Sequence, residues 1–254
     1  MRVLTLYAVD TEFAPWRKLR DLREVRIGEV CVQQAQVGRA LVDFVVTGMG
    51  AENARRAAES VMQEPYQFCV AAGFAGSLRK THSAGNVLVA EAVQQLSQSK
   101  TLLCSRNLVS AAQGDGAKRA KMFLTTDHII GTAEEKARLA PFADAVDMES
   151  FAVLSAADAH KCSAVAIRVI SDSFDEDVPA NLDTTVDERG KVTIGGVFRY
   201  VAYHPLQLPA LIRLGRKSRS AAEALAHFLE AYIKKISFSV HGWPPPELQE
   251  VAAR

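Results

Sequence analysis

Cysteine is scarce in this chain, and no two cysteines are spaced as a C-x-x-C pair. The four present are Cys31, Cys69, Cys104 and Cys162. Three of them sit in apolar surroundings, so free thiols in a reducing compartment are expected, rather than a disulfide framework or a zinc site. The six histidines are scattered without ligand spacing, and no metal or organic cofactor is expected. No apolar run approaches the ~20 residues of a membrane span. The opening run MRVLTLYAV is soon interrupted by Asp10 and Glu12, which does not fit a secretory signal, so a cytoplasmic protein is expected. Charge of either sign is not in excess: the net charge of +1 gives no support for nucleic acid or an acidic membrane as the main partner. No G-x-G-x-x-G follows the first strand-like run. Gly48-Met49-Gly50 lacks the third glycine and a suitably spaced acidic partner, which argues against a dinucleotide-dependent oxidoreductase.

What is present is an alternation of strand-like and helix-like segments. Val3 to Val9, Val30 to Val37, Leu41 to Thr47, Gln67 to Ala72, Asn86 to Ala92, Lys121 to Thr126 and Ala164 to Ile170 read as strands, with a hairpin at Gly38-Arg39. Glu12 to Leu22, Ala51 to Gln63, Ala133 to Leu139, Asp147 to His160, Ile194 to Tyr203 and Leu206 to Ile233 read as helices. Residues 94–120 are poorly patterned and read as a variable loop region, and Asp175 to Lys191 is polar and turn-rich. Neither an internal repeat nor a linker interrupts the pattern. It argues for an α/β sheet in one domain over residues 1–235, with 236–254, which carry Pro244-Pro245-Pro246, as an extended tail.

Two short segments concentrate the chemistry. Val146-Asp147-Met148-Glu149-Ser150 puts carboxylates where a helix is expected to open. Arg168-Val169-Ile170-Ser171-Asp172 puts one at the end of an apolar strand. Open α/β sheets place ligands outside the carboxyl ends of their strands. A carboxylate at Glu149 can accept two hydrogen bonds, which matches the adjacent hydroxyls of a ribose, and Met148 can lie against the sugar. Asp172 suits proton delivery to a departing base, and Glu12, just past the first strand, suits the activation of water. Each residue also has an ordinary structural reading: helix-start chemistry for Glu149, a turn or cap for Ser171-Asp172, core filling for Met148, a solvated helix face for Glu12.

Taken together the segments resemble the nucleoside phosphorylase and nucleosidase superfamily. The resemblance implies a single-domain three-layer α/β/α sandwich with a central mixed, partly barrel-like sheet. It assigns Met148 and Glu149 to the ribose, and Asp172 to base protonation with Ser171 beside it. It makes Gly73-Phe74-Ala75-Gly76-Ser77 the glycine-rich turn beside sugar and base, with Phe74, Ala75 and Gly76 at the substrate. Thr126-Asp127-His128-Ile129-Ile130 is similar to the segment whose backbone reads adenine, which adds Ile129 and Ile130. Ala8 to Glu12 is similar to the start of methylthioadenosine/S-adenosylhomocysteine nucleosidases, where that Glu activates water. His204 to Leu214, with Ser218 to Ala222, resembles the hopanoid-associated phosphorylase branch; an oligomer contact or helical cover explains the same stretch. The implied partner is a small-molecule purine nucleoside, and a homodimer or larger homo-oligomer is implied.

One departure bears on the nucleophile. Phosphorylases of this superfamily hold phosphate with arginines, one of them two residues before the glycine-rich turn, and Ala71 stands there. Gly48, Gly50 and Arg168 remain as a candidate phosphate cradle, with inorganic phosphate as co-substrate in that case. Ala71 together with Glu12 favours water over phosphate, and phosphorolysis is the alternative. A nucleoside-binding protein without turnover is the alternative from a different functional class.

Overall fold

The computed structural model describes residues 1–178 and 208–239. Strand β1 (Arg2–Tyr7) is buried from Val3 onward, and such a two-sided apolar run fits a strand covered on both faces. It lies between two parallel neighbours, β4 (Ala40–Val46) and β5 (Phe68–Ser77). Strand β3 (Val30–Val37) joins β4 in the expected hairpin, where Gly38 adopts φ +60°, a left-handed turn conformation open to glycine. Strand β2 (Arg23–Ile27) closes this edge, antiparallel to β3.

On its other side β5 pairs in parallel with β10 (Ser163–Asp172). Strand β10 runs antiparallel to β6 (Val87–Gln95), which is parallel to β8 (Lys118–Thr125). Strand β8 is parallel to β9 (Ala145–Asp147), and β9 returns antiparallel to β5. The ring β5–β10–β6–β8–β9 is therefore a closed five-stranded barrel that shares β5 with the open part of the sheet. Strand β7 (Thr101–Leu103) adds to β6. The mixed, partly barrel-like sheet implied by the sequence is thus present.

Helices α3 (Ala51–Val61) and α6 (Ser150–Ala159) pack on each other, and α6 lies against the barrel strands. Helix α7 (Leu208–Ser239) lies along β10, β5 and the β3–β4 hairpin. Ala222, Leu225, Leu229, Tyr232 and Ile236 recur at helical spacing and are buried, the apolar stripe of a helix facing a core. The Tyr232 hydroxyl donates to the Leu108 carbonyl at 3.0 Å, which ties α7 to α4 (Arg106–Gly114).

Several expectations are corrected. The helix expected over Glu12 to Leu22 is two single turns, α1 (Asp10–Phe13) and α2 (Trp16–Leu19). Pro15 stands between them; it has no N–H to continue the ladder, and its ring crowds the preceding turn. Residues 94–120 are not a loop region: the end of β6, then β7, α4 and the start of β8 occupy them. Strand β7 has three residues and α4 buries only Leu108, Val109 and Ala112, too little for a period to show. The Gly73-to-Ser77 stretch is not a turn, because β5 continues to Ser77 alongside β10. The helix expected from Asp147 begins at Ser150, since Val146 and Asp147 are taken into β9. The helix expected from Leu206 is α7, which continues to Ser239. The helix expected over Ile194 to Tyr203 lies outside the described residues, as do the proline-rich tail and most of the Asp175 to Lys191 stretch. Among the described residues no helix is long and apolar enough to cross a membrane.

Candidate active site

The parallel strands β1, β4 and β10 end together, and β8 and β9 reach the same region from the opposite direction. A cavity of about 790 Å³ opens there. Glu12, Glu149 and Asp172, distant in sequence, all line it. Each is nevertheless almost sealed from solvent, at 3%, 6% and 7% exposure.

Glu12 is fixed by the backbone. Its Oε2 accepts from the N–H groups of Ala8 at 2.8 Å and Val9 at 3.0 Å, and its Oε1 from the N–H of Phe74 at 2.7 Å. Burial raises its pKa above the ordinary carboxylate value, against the pull of Arg168 and of these three donors. Glu149 Oε1 accepts from the Gly50 N–H at 2.9 Å. Burial pushes the Glu149 carboxyl up to about 7, opposed by Arg168 and assisted by the neighbouring charges of Asp147 and Glu12.

Arg168 lies behind these acids, 1% exposed. Its Nε is 3.1 Å from Asp147 Oδ2, and its Nη2 is 3.5 Å from Glu149 Oε2. Nη2 also donates to Ser150 Oγ at 3.0 Å, and Nη1 reaches the carbonyls of Ala72 and Phe74, each at 3.4 Å. Burial works against its charge, but Asp147, Glu149 and Glu12 together hold the guanidinium firmly protonated. The strand makes room for this arrangement at Gly73, whose φ is +149°. A Cβ there would stand 2.6 Å from Glu12 Oε1 and collide with Arg168 Nη1.

Asp147 serves the helix. Its Oδ1 accepts from the N–H groups of Glu149 at 3.2 Å and Ser150 at 3.1 Å, while Thr125 Oγ1 accepts from Phe151 N–H at 3.0 Å. These capping bonds satisfy the first free donors of α6. Glu149 is therefore the residue before the helix, not part of its first turn as expected. Its carboxylate is turned toward Gly50 and Arg168.

Asp172 belongs to a different pole of the cavity. The β5–β10 register pairs Ile170 with Ala75 and then Asp172 with Gly76, so Ser171 is an extra residue, a bulge that re-aims the strand end. Ser171 Oγ donates to Asp172 Oδ1 at 2.6 Å. Asp172 Oδ2 lies 2.6 Å from Nζ of Lys136, on α5 (Ala133–Leu139).

The Phosphorylase superfamily model matches residues 8–194 of the sequence, a span that takes in the three acids. The chain belongs to the phosphorylase superfamily. No curated protein matches it. Among solved structures it is similar to a 5′-methylthioadenosine/S-adenosylhomocysteine nucleosidase of Helicobacter pylori, with 19% identity, TM-score 0.72, and coverage of 92% of this chain and 98% of that one. The futalosine hydrolase of Helicobacter pylori is similar at 19% identity and TM-score 0.70, over 92% and 98% of the two chains. The S-adenosylhomocysteine nucleosidase of Streptococcus pyogenes is similar at 15% identity and TM-score 0.71, over 93% and 97%. These likenesses establish the shared fold, and family membership makes the chain an enzyme acting on nucleosides.

In this superfamily member, Glu12, Phe74, Ala75, Gly76, Ile129, Ile130, Met148, Glu149, Ser171 and Asp172 all border the one cavity. Three expected residues do not: Gly48, Gly50 and Arg168 are absent from its wall. The Gly50 N–H donates to Glu149, and the guanidinium lies among Asp147, Glu149, Ser150 and the Ala72 and Phe74 carbonyls. The sequence reading missed Met49 and the wall that α7 supplies through Gly215, Ser218, Arg219, Ala222 and Glu223, and it missed Lys136 behind Asp172. Met49 was visible only as part of a glycine turn. Helix α7 was legible as a helix and a helical cover but not as a wall of this cavity, and for Lys136 no local signal existed. Among the described residues no cluster of three His, Cys, Asp or Glu side chains could hold a metal ion.

Two outcomes follow from the buried charges. Gly73→Ala forces a side chain against Glu12 and Arg168 in a disfavoured backbone conformation, and it should cost about 2–4 kcal/mol of stability, measured by denaturant unfolding. Glu149 has a folded value of about 7 against an ordinary 4.5. Between these values the folded state keeps a proton that the unfolded chain has lost. Its contribution to stability is therefore lost as pH rises from 4.5 through 7, by roughly 3 kcal/mol at full effect. Glu149→Gln keeps an acceptor for Gly50 and removes the titration. Unfolding curves at pH 5 and pH 8 should show the variant gaining on the wild type only at the higher pH.

Proposed function

We propose that this enzyme cleaves the N-glycosidic bond of a purine nucleoside, with adenine as the base and water as the nucleophile. The observation that carries the reading is the convergence of Glu12, Glu149 and Asp172 on one nucleoside-sized cavity. Bond breaking leaves positive charge on the sugar and negative charge on the base. The cavity answers with carboxylates at one pole and an acid–ammonium pair at the other. In this reading ionised Glu149 accepts hydrogen bonds from the ribose hydroxyls and Met148 lies against the sugar. Glu12, locked by three backbone donors, takes a proton from the attacking water. Asp172 delivers a proton to the ring nitrogen as the base departs, with Phe74, Ile129 and Ile130 around the base.

Water is favoured over phosphate because the Gly50 N–H and Arg168, two of the three groups expected to hold phosphate, already face the protein's own acids. The 5′-methylthioadenosine, S-adenosylhomocysteine and futalosine named for the similar enzymes are natural candidates to assay, together with adenosine and inosine. Base release should proceed at the same rate with and without inorganic phosphate and yield the free sugar. A strict need for phosphate, with a sugar 1-phosphate as product, overturns the hydrolytic reading, and no base release from any of these overturns the whole.

Glu12→Gln and Asp172→Asn should each lower kcat by about 10²–10⁴-fold, the usual worth of general acid–base assistance. Because Glu149 must ionise to accept both hydroxyls, kcat/KM should rise about tenfold per pH unit below its value of about 7 and level off above it. In Glu149→Gln that limb should disappear.

A further inference from the structure

Asp172 has a partner that the proposed reaction has not yet used. Lys136 is fully buried, the only buried lysine among the described residues. Its Nζ touches three oxygens: Asp172 Oδ2 at 2.6 Å, the Ser173 carbonyl at 2.8 Å and the Glu176 carbonyl at 2.7 Å. An ammonium has three N–H donors and no acceptor; two of them meet the carbonyls, and the contact with Asp172 is an ion pair. The two carbonyls can accept only, which fixes two of the N–H groups in place. The third N–H is the one not held by a carbonyl, and Asp172 Oδ2 is the carboxyl oxygen within reach of Nζ. Lys136 does not itself border the cavity; Asp172 does.

If Asp172 protonates a base, as the proposed reaction holds, the N–H nearest its carboxyl group on the protein side is that of Lys136. We propose that Lys136 is the positioning residue for that step: it holds the transferable proton against Asp172 and releases it as negative charge builds on the departing base. The step rests on the proposed glycosidic cleavage and balances as follows. The Nζ–H bond breaks and its electron pair stays on Nζ, while an O–H bond forms at Asp172. The carboxyl group turns about its terminal torsion, a soft two-fold rotation, and presents the proton to the cavity. The C1′–N pair moves into the ring as the O–H bond gives way to an N–H bond on the base. Glu12 meanwhile takes the proton lost by the attacking water. After the products leave, Glu12 returns its proton to solvent and Lys136 regains one. Ser171, which donates to Asp172 Oδ1 before the transfer, gives up that bond as the carboxyl group turns.

The purely structural alternative is that Lys136 only pins the segment after β10 through its two carbonyls. Leaving-group dependence separates the two. Lys136→Gln keeps N–H donors for the carbonyls and removes the spare proton, and Lys136→Met removes all three donors. Each is compared with Asp172→Asn on methylthioadenosine, whose base needs a proton to leave, and on two riboside substrates that need none, p-nitrophenyl β-D-riboside and an N7-methylated purine nucleoside. Thermal melts confirm that each variant is folded; if Lys136→Met is not, Lys136→Gln carries the test.

The expected result is a loss in kcat of about 10²-fold or more on methylthioadenosine, with KM changed less than about threefold, and little loss on the activated substrates. Lys136→Arg, which keeps a cation and its protons, should recover part of the loss. Equal losses on all substrates overturn the proposal in favour of a packing role. Full activity of the Lys136 variants while Asp172→Asn is impaired overturns the role of Lys136 alone. Full activity of Asp172→Asn on methylthioadenosine instead overturns the role of Asp172, and the Lys136 step with it.

Discussion

The buried guanidinium of Arg168 is the interaction around which the rest of the site is arranged. A cation in such a place is costly unless its charge and its donors are both met, since removing an ion from water costs several kcal/mol even after relaxation. Here both are met, by groups from three parts of the fold. Asp147 ends β9 with Glu149 just after it, Ser150 opens α6, and the Ala72 and Phe74 carbonyls belong to β5. The side chain itself projects from β10. One residue thus ties together two strands of the barrel and the helix that packs on it. The space it occupies exists because Gly73 has no side chain.

The count of charges around it is uneven. Three carboxylates face one guanidinium, and the surplus is not shared equally. Asp147 is drawn to the cation and to the N-terminus of α6, where a negative charge is favoured. Glu12 is drawn to three backbone donors. Glu149 has a single N–H and a longer contact to Arg168 than Asp147 has, and burial lifts it to about 7. Asp172 stands apart, with an ammonium of its own. The cavity therefore has an acid-rich end and a separately neutralised end.

Much of this was legible in the sequence where a polar residue interrupts an apolar run. Asp172 closes a β-branched strand, and Glu12 follows the first strand after a short turn, so both could be read as strand-end residues. The closed ring of strands was reachable only through family resemblance, since β9 is three residues long and its pairing is non-local. The ten expected residues that border the cavity were likewise joined by resemblance, because spacing alone cannot bring β1, β5, β9 and β10 together. Arg168 was visible as a cation in an apolar strand, and was read as an anion-binding residue. Local sequence shows that a buried charge needs a partner, but not which distant acid supplies it. Lys136 gave no signal at all: in Ala-Glu-Glu-Lys-Ala-Arg-Leu it looks like one more charge on a solvated helix face. Its burial is set by the segment after β10 folding back over α5, a contact without a trace in either segment alone.

The same electrostatics bears on the choice of nucleophile. A phosphate dianion entering beside Arg168 would meet Glu12, Asp147 and Glu149 before it found a free donor. Two like charges 4 Å apart repel by about 4 kcal/mol at an effective dielectric of 20, and here several such pairs would act at once. To bind, phosphate would have to displace Glu149 from Gly50 and Arg168, and that is the group assigned to hold the ribose. A neutral water meets no such barrier. What it lacks is nucleophilic strength, and that is supplied by a general base rather than by more positive charge. A carboxylate held rigidly by three backbone N–H groups, at the edge of the cavity, is such a base. In the proposed reaction the acids that close the site to an anionic nucleophile are therefore also what a neutral one requires.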